Sequence, residues 1–146
     1  MDKINLHILN ELKENGRATA SDISKNVNLS VPAVAERIRK MEQSKLIEKY
    51  TVKINREQAG YKLLAFILVN LDKTESIEGF RKSIVATSNV LECHHVAGTY
   101  DYLLKVLVED TRRLEDFLSK TLKKSQGVIS SNTIICLSTL KEEVNI

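Results

Sequence analysis

Apolar residues recur at helical spacing through the first third of the chain, and from Leu63 onward the pattern changes to that of strands. Ile4, Ile8, Leu9 and Leu12 share one face of a helix that Asp2 is placed to cap. "ENGR" at residues 14–17 ends that helix, with Gly16 suited to a left-handed stop. Ser21 opens a second, short helix carrying Ile23 and Val27. The turn "NLS" then leads to Ser30, which caps a third helix and tolerates Pro32 in its first turn. Within "SVPAVAERIRKMEQS", Val34, Ile38, Met41 and Lys45 fall on one stripe. Residues 47–54, "IEKYTVKI", alternate as a strand does, and "NREQAGY" reads as a linker bending at Gly60.

The second part reads as strand "LLAFILVNLD", helix "SIEGFRKSIVATS", the hairpin pair "VLECHHVAG" and "YDYLLKVLVED", helix "TRRLEDFLSKTLKKS" and closing strand "GVISSNTIICLSTL". The order βαββαβ predicts a ferredoxin-like sandwich with both helices on one face of an antiparallel sheet. The expected class is therefore α+β: a helix-turn-helix (winged-helix-like) domain over 1–54, a linker over 55–62 and the sandwich over 63–146. Leu63 to Val69 is apolar on both faces, and Tyr102, Leu104, Val106 and Val108 oppose Leu103 and Leu107. A second apolar sheet face on so small a domain predicts burial by another subunit, hence a homodimer joined through the sheets.

Charge sharpens the division. Residues 1–55 hold ten Lys/Arg against seven Asp/Glu, and residues 56–146 hold twelve of each. The whole excess of +3 thus belongs to the helical third, which points to a polyanion partner for that segment. No apolar run approaches a bilayer span and no signal peptide is visible, so no membrane partner is expected. Cys93 and Cys136 are read as free cytosolic thiols and the chain as cytoplasmic.

Two helices joined by a three-residue turn, the second basic outside, match a DNA-reading unit. With Val34, Ile38 and Met41 inward, the outer face presents Pro32, Glu36, Arg39, Lys40 and Gln43, and Ser30 and Val31 sit at the leading end. Arg39 and Lys40 suit phosphates or guanine edges, Gln43 the backbone, and Lys49 and Lys53 further phosphates. The plain alternative is a solvated face in which Glu36 pairs with Arg39 or Lys40. Arg37, at the edge of the apolar stripe, reads as structural.

"MDKINLHILNEL", "ISKNVNLSVPAVAERIRKMEQSKLIEKYTVKI", "AG" at 59–60, "VAGTYDYLLKV" and "NTIICL" resemble, in order and over nearly the whole chain, the Lrp/AsnC (leucine-responsive, or feast/famine) transcription regulators. The resemblance implies a cytoplasmic regulator that binds double-stranded DNA as a homodimer, with octamers among the family's assemblies, and that responds to an amino acid. Two positions depart from the family pattern: Asn5 replaces an acidic residue, and Lys45 replaces a glycine that ends the third helix.

The resemblance also gives the "GTYD" turn a role. There Gly98 and Asp101 match the family's G-x-x-D motif at an interface between dimers, with Thr99 and Tyr100 in its variable middle and Thr133 as a further wall. Gly98 lets main-chain N–H groups approach a ligand carboxylate, and Asp101 suits an α-ammonium. The competing reading is a hairpin turn in which Asp101 caps amides and Gly98 relieves strain. Cys93 and His95 share a strand face while His94 points away, too few ligands for a structural zinc, and no metal or other cofactor is expected. No nucleophile elbow, P-loop or dinucleotide fingerprint occurs, so no enzyme is expected. The sequence reading is a sequence-specific DNA-binding transcription regulator responsive to an amino acid or related metabolite. The alternatives are an effector-independent DNA-wrapping protein of the same fold, or a small-molecule-binding protein that leaves DNA alone.

Overall fold

The computed structural model describes residues 2–72, 74–143 and 145. One compact unit runs from the N-terminal residues to Lys53, and another comprises Ile54–Glu142.

The first unit holds α1 (Lys3–Glu14), α2 (Ala20–Val27) and α3 (Val31–Gln43). Asp2 caps α1 by accepting from the Asn5 amide at 2.7 Å. Helix α2 begins at Ala20, earlier than Ser21 suggests, because Thr19 and Asp22 form a reciprocal capping box. Ser30 caps α3 from the Ala33 amide, and Pro32 sits in the first turn. Ile8, Ile23, Val34 and Met41 meet in a closed core. Asn28 (φ 53°) makes the left-handed stop between α2 and α3. Lys45 (φ 61°) makes another just after α3, the conformation that a glycine adopts without strain.

Residues 47–54 form no strand, contrary to the alternation of "IEKYTVKI". A strand requires a neighbour for its N–H and C=O groups, and the described residues of one chain offer none there. Val52 and Ile54 stand exposed in consequence. Tyr50 instead donates its hydroxyl to Glu42 at 2.8 Å, and partial burial together with that carboxylate pushes the phenol up to about 12.

The second unit comprises β1 (Leu63–Leu71), α4 (Ile77–Val85), β2 (Val90–His95), β3 (Tyr102–Val108), α5 (Thr111–Asp116) and β4 (Val128–Ile135). Its sheet has the order β2-β3-β1-β4 with every pairing antiparallel, the ferredoxin-like arrangement. Asp110 caps α5 from the Arg113 amide, and the helix runs on as a wider π-type turn, Phe117–Leu122, marked by the Lys123 amide bonding to the Leu118 carbonyl. Leu114, Phe117 and Leu122 from that helix, with Phe80 and Ile84 from α4, cover Ile67, Val69, Tyr102, Leu104 and Val106.

Strand register assigns the opposite face to Phe66, Leu68, Leu103, Leu107 and Ile134, flanked by Glu92, His94 and Lys105. Ile134 is half exposed there. Lys105 bonds to both Glu92 and Glu142, so a polar cluster interrupts the apolar surface.

Gly127 opens β4 at φ 83°, and a Cβ there would stand 2.2 Å from the Ser76 Cβ. Gly127→Ala is expected to cost about 2 kcal/mol or more through strain and overlap. A lowered urea midpoint with an unchanged slope is the check.

Candidate functional site

Helix α3 turns its outer side fully to solvent. Val31, Pro32, Glu36, Arg39, Lys40 and Gln43 are exposed while Val34 and Met41 are buried, so a single apolar stripe fixes which residues face outward. Ala35 is exposed on the same side. It escaped a reading that looked for polar groups, although its position three after Pro32 and four before Arg39 identified it. A methyl at that place suits contact with a thymine methyl.

The basic groups are not idle. Arg39 grips Glu36 with a two-point fork, Nε to Oε2 at 2.8 Å and Nη2 to Oε1 at 2.7 Å, and Lys40 lies 3.7 Å from the same carboxylate. The Arg39 hydrogen bonds hold the Glu36 carboxyl below its ordinary range, and the guanidinium is correspondingly harder to deprotonate. The intrahelical pairing weighed from the sequence therefore exists, on a face that still carries net positive charge. Lys49 is exposed beyond α3, in the unpaired stretch.

Arg37 has a different role. Its Nη1 donates to Asp2 at 2.7 Å and to Asn5 at 2.8 Å, tying α3 to the start of α1. The Asn5 amide and then Arg37 draw the Asp2 carboxyl below its usual range. Asn5 thus accepts from Arg37 as an acidic residue would, without the charge.

At the hairpin, Gly98 takes φ 152° with open space where a Cβ would stand. Thr99 is exposed and Tyr100 half-buried. The Asp101 carbonyl closes the hairpin by accepting from the Val96 amide at 2.9 Å, and the rest of the residue is anchored to β1. Its amide donates to the Val69 carbonyl at 3.0 Å and to Asn70 Oδ1 at 3.2 Å, while its Oδ2 accepts from the Leu71 amide at 2.8 Å. Among the described residues, Oδ1 accepts no protein hydrogen bond. One carboxylate oxygen thus fixes the turn to β1.

A single chain does not gather the whole expected effector set. Thr133 pairs with Ile67 on β4, whereas the turn lies beyond the Val69–Tyr102 pair on the other side of β1. His95 lies on the helix-covered face opposite Tyr102, His94 on the other face opposite Leu103, and Cys93 and Cys136 belong to opposite edges of the sheet. No group of three or more potential metal-ligating side chains occurs among the described residues.

Comparison with known proteins accounts for both units. The AsnC-type helix-turn-helix domain matches residues 1–42 and the Lrp/AsnC ligand binding domain matches residues 64–146. The leucine-responsive regulatory protein of Escherichia coli (strain K12) is 33% identical over 144 residues, covering 97% of this chain and 88% of that protein. A transcriptional regulator from Neisseria meningitidis, solved as an L-Met complex, superposes with a TM-score of 0.96 at 29% identity, covering 100% of this chain and 96% of that one. LrpC of B. subtilis follows with a TM-score of 0.88 at 27% identity, covering 98% and 99%. With a helix-turn-helix of this type at one end, a ligand-binding sandwich at the other and relatives spanning both, the chain belongs to the Lrp/AsnC family of transcription regulators.

Proposed function

We propose that this regulator reads double-stranded DNA with the outer face of α3 and senses an amino acid at the 98–101 turn, working in the cytoplasm as a homodimer that can assemble further towards octamers. The observation that carries the reading is the capped, rigid α3, whose outer face sets Arg39 and Lys40 around one carboxylate. On DNA, Arg39 exchanges Glu36 for a phosphate or a guanine edge, and Glu36, once released, repels phosphates that are out of register or accepts from a cytosine amine. Ser30, Val31 and Pro32 lead the helix into the groove, and Gln43 and Lys49 hold the backbone.

The homodimer reading rests on the outward sheet face, where Phe66, Leu68 and Ile134 lie on the side opposite the one that α4 and α5 cover. Two such faces bring two α3 helices together for successive major grooves. In the effector reading, Asp101 Oδ1 receives the α-ammonium, the open space above Gly98 admits the carboxylate, and Thr133 comes from a neighbouring subunit. The ligand acts through unequal affinity for the assembly states. The engagement of Asp101 with Leu71 favours a second reading, a DNA-wrapping protein in which the turn is purely structural.

Arg39→Ala is expected to weaken operator binding by about 1–3 kcal/mol and to reduce the salt slope by about 1. Glu36→Gln is expected to tighten binding to random DNA and narrow the gap to the operator. Fluorescence anisotropy at several salt concentrations reads both, and unchanged affinity and slope in Arg39→Ala would remove α3 as the reader. A thermal-shift screen with the twenty amino acids is expected to raise the melting point by several degrees for one or a few, since ~100 Kd of ligand adds roughly 2.7 kcal/mol. Asp101→Asn abolishes that shift if the turn is the sensor; no shift with any amino acid, in protein that still binds DNA, favours the wrapping protein. Phe66→Glu is expected to yield monomers in sedimentation velocity, and an intact dimer would place the interface elsewhere.

A further inference from the structure

A cationic cluster built from residues other than those of α3 and the 98–101 turn lines a cleft of about 940 Å³ between α4 and the edge strand β2. One stripe of α4 forms one wall, with Ile77, Glu78, Arg81, Lys82 and Val85 at helical spacing. Cys93, His95 and Tyr102 form the other, since residues two apart on β2 share a face and His95 pairs with Tyr102.

The central group is Arg81. The Tyr102 side chain is 2% exposed, and its buried hydroxyl requires a partner. Arg81 supplies it, donating from Nε to the Tyr102 oxygen at 2.7 Å, with its guanidinium carbon 5.5 Å from the ring centroid. The guanidinium is therefore fixed by a hydrogen bond and a cation–π contact. No ion pair to Arg81 occurs among the described residues, which leaves its two Nη groups available. His95 stacks on the same ring at 5.1 Å, so the imidazole is held beside it.

The surroundings define what fits. A planar guanidinium matches the two oxygens of a carboxylate, and Lys82 and His95 provide further donors. Glu78 is the one acid lining the cleft among the described residues. Ile77 and Val85, the latter 64% exposed, form an apolar wall. Burial pushes the Cys93 thiol up despite the opposing pull of Arg81, so it too presents an uncharged surface.

We propose that the α4–β2 cleft binds a small monocarboxylate with a short aliphatic tail, its carboxylate on Arg81 with Lys82 and His95 and its tail on Val85, one helical turn further along α4. This site adjoins the turn at Tyr102 but draws its donors from α4 and β2, and Asp101 does not line it.

The test is an NMR titration of the full-length, ¹⁵N-labelled protein with 4-methylpentanoate and with its 2-amino and 2-oxo derivatives, followed at the Arg81 Nε–H and the His95 ring. The uncharged 4-methylpentan-1-ol and inorganic phosphate serve as controls. Saturable shifts are expected with the carboxylates, and much weaker ones with the alcohol and with phosphate. Preference for the 2-amino compound identifies an amino acid as the source and engages Glu78; preference for the 2-oxo compound identifies an oxo acid. Arg81→Met is expected to weaken binding about tenfold or more. Because that change also deprives Tyr102 of its partner, Lys82→Glu on the exposed side of α4 is the second variant, and a loss of affinity there supports the site independently. Asp101→Asn is expected to leave the titration unchanged. Absence of binding, equal binding of the alcohol, unaltered affinity in both Arg81→Met and Lys82→Glu, or a loss in Asp101→Asn as large as that in Arg81→Met would each overturn the proposal.

Discussion

The ligand-binding unit depends on β1 being paired along both edges. A strand bonded to β3 on one side and β4 on the other has its polar backbone satisfied, so its side chains are free to be apolar on both faces. "LLAFILVNL" meets that condition, with Ala65, Ile67 and Val69 buried under the helices and Phe66 and Leu68 turned the other way. The regular β4 pairing shifts between Asn70 and Leu71, and there the Leu71 amide takes the Asp101 carboxylate as its acceptor. The place of the hairpin turn is thus set by where β1 stops being an ordinary strand. One oxygen of that carboxylate thus serves the fold.

The same economy appears on α3. A basic helix face attracts any phosphate, whereas a regulator has to leave most DNA unbound. In the proposed DNA reading, Glu36 addresses that problem locally by occupying the Arg39 fork in the free protein. Binding on that reading requires a DNA contact good enough to replace an existing pair. Such a replacement penalises weak sites more than strong ones, and specificity follows from that difference. Arg37, two residues away and of the same chemical type, is removed from this competition because Asp2 and Asn5 hold it against α1.

The helix periodicity, the caps at Asp2 and Ser30, and the inward stripe of Val34 and Met41 were legible from the chain because they are local. A helix makes its hydrogen bonds with itself, so four or five neighbouring residues decide it. Helix α2 starts one residue before Ser21 because Thr19 and Asp22, a pair three apart, carry the same local information. The bend at Gly60 was legible for the same reason, whereas Gly16 takes no left-handed conformation and Lys45, expected on the helical stripe, lies past the end of α3 as an exposed left-handed residue.

The alternation in "IEKYTVKI" misled because a strand is a property of two segments, and alternation reports only one of them. The partner of the Asp101 carboxylate lay equally out of reach of sequence. Asp101 reads as a turn residue, yet its acceptor role is discharged 30 residues away at Leu71, once register has aligned Val69 with Tyr102. Arg81 and Tyr102 are 21 apart and meet only because α4 packs over the β2–β3 edge. Apart from the strand expected over 47–54, the sequence by itself determined the elements and their order, since hydrophobic period and capping act over a few residues. Tertiary structure decided which oxygen of Asp101 is left over, which arginine is held back and where a cationic cleft opens, because those outcomes depend on groups that only strand register and helix docking bring within hydrogen-bonding distance.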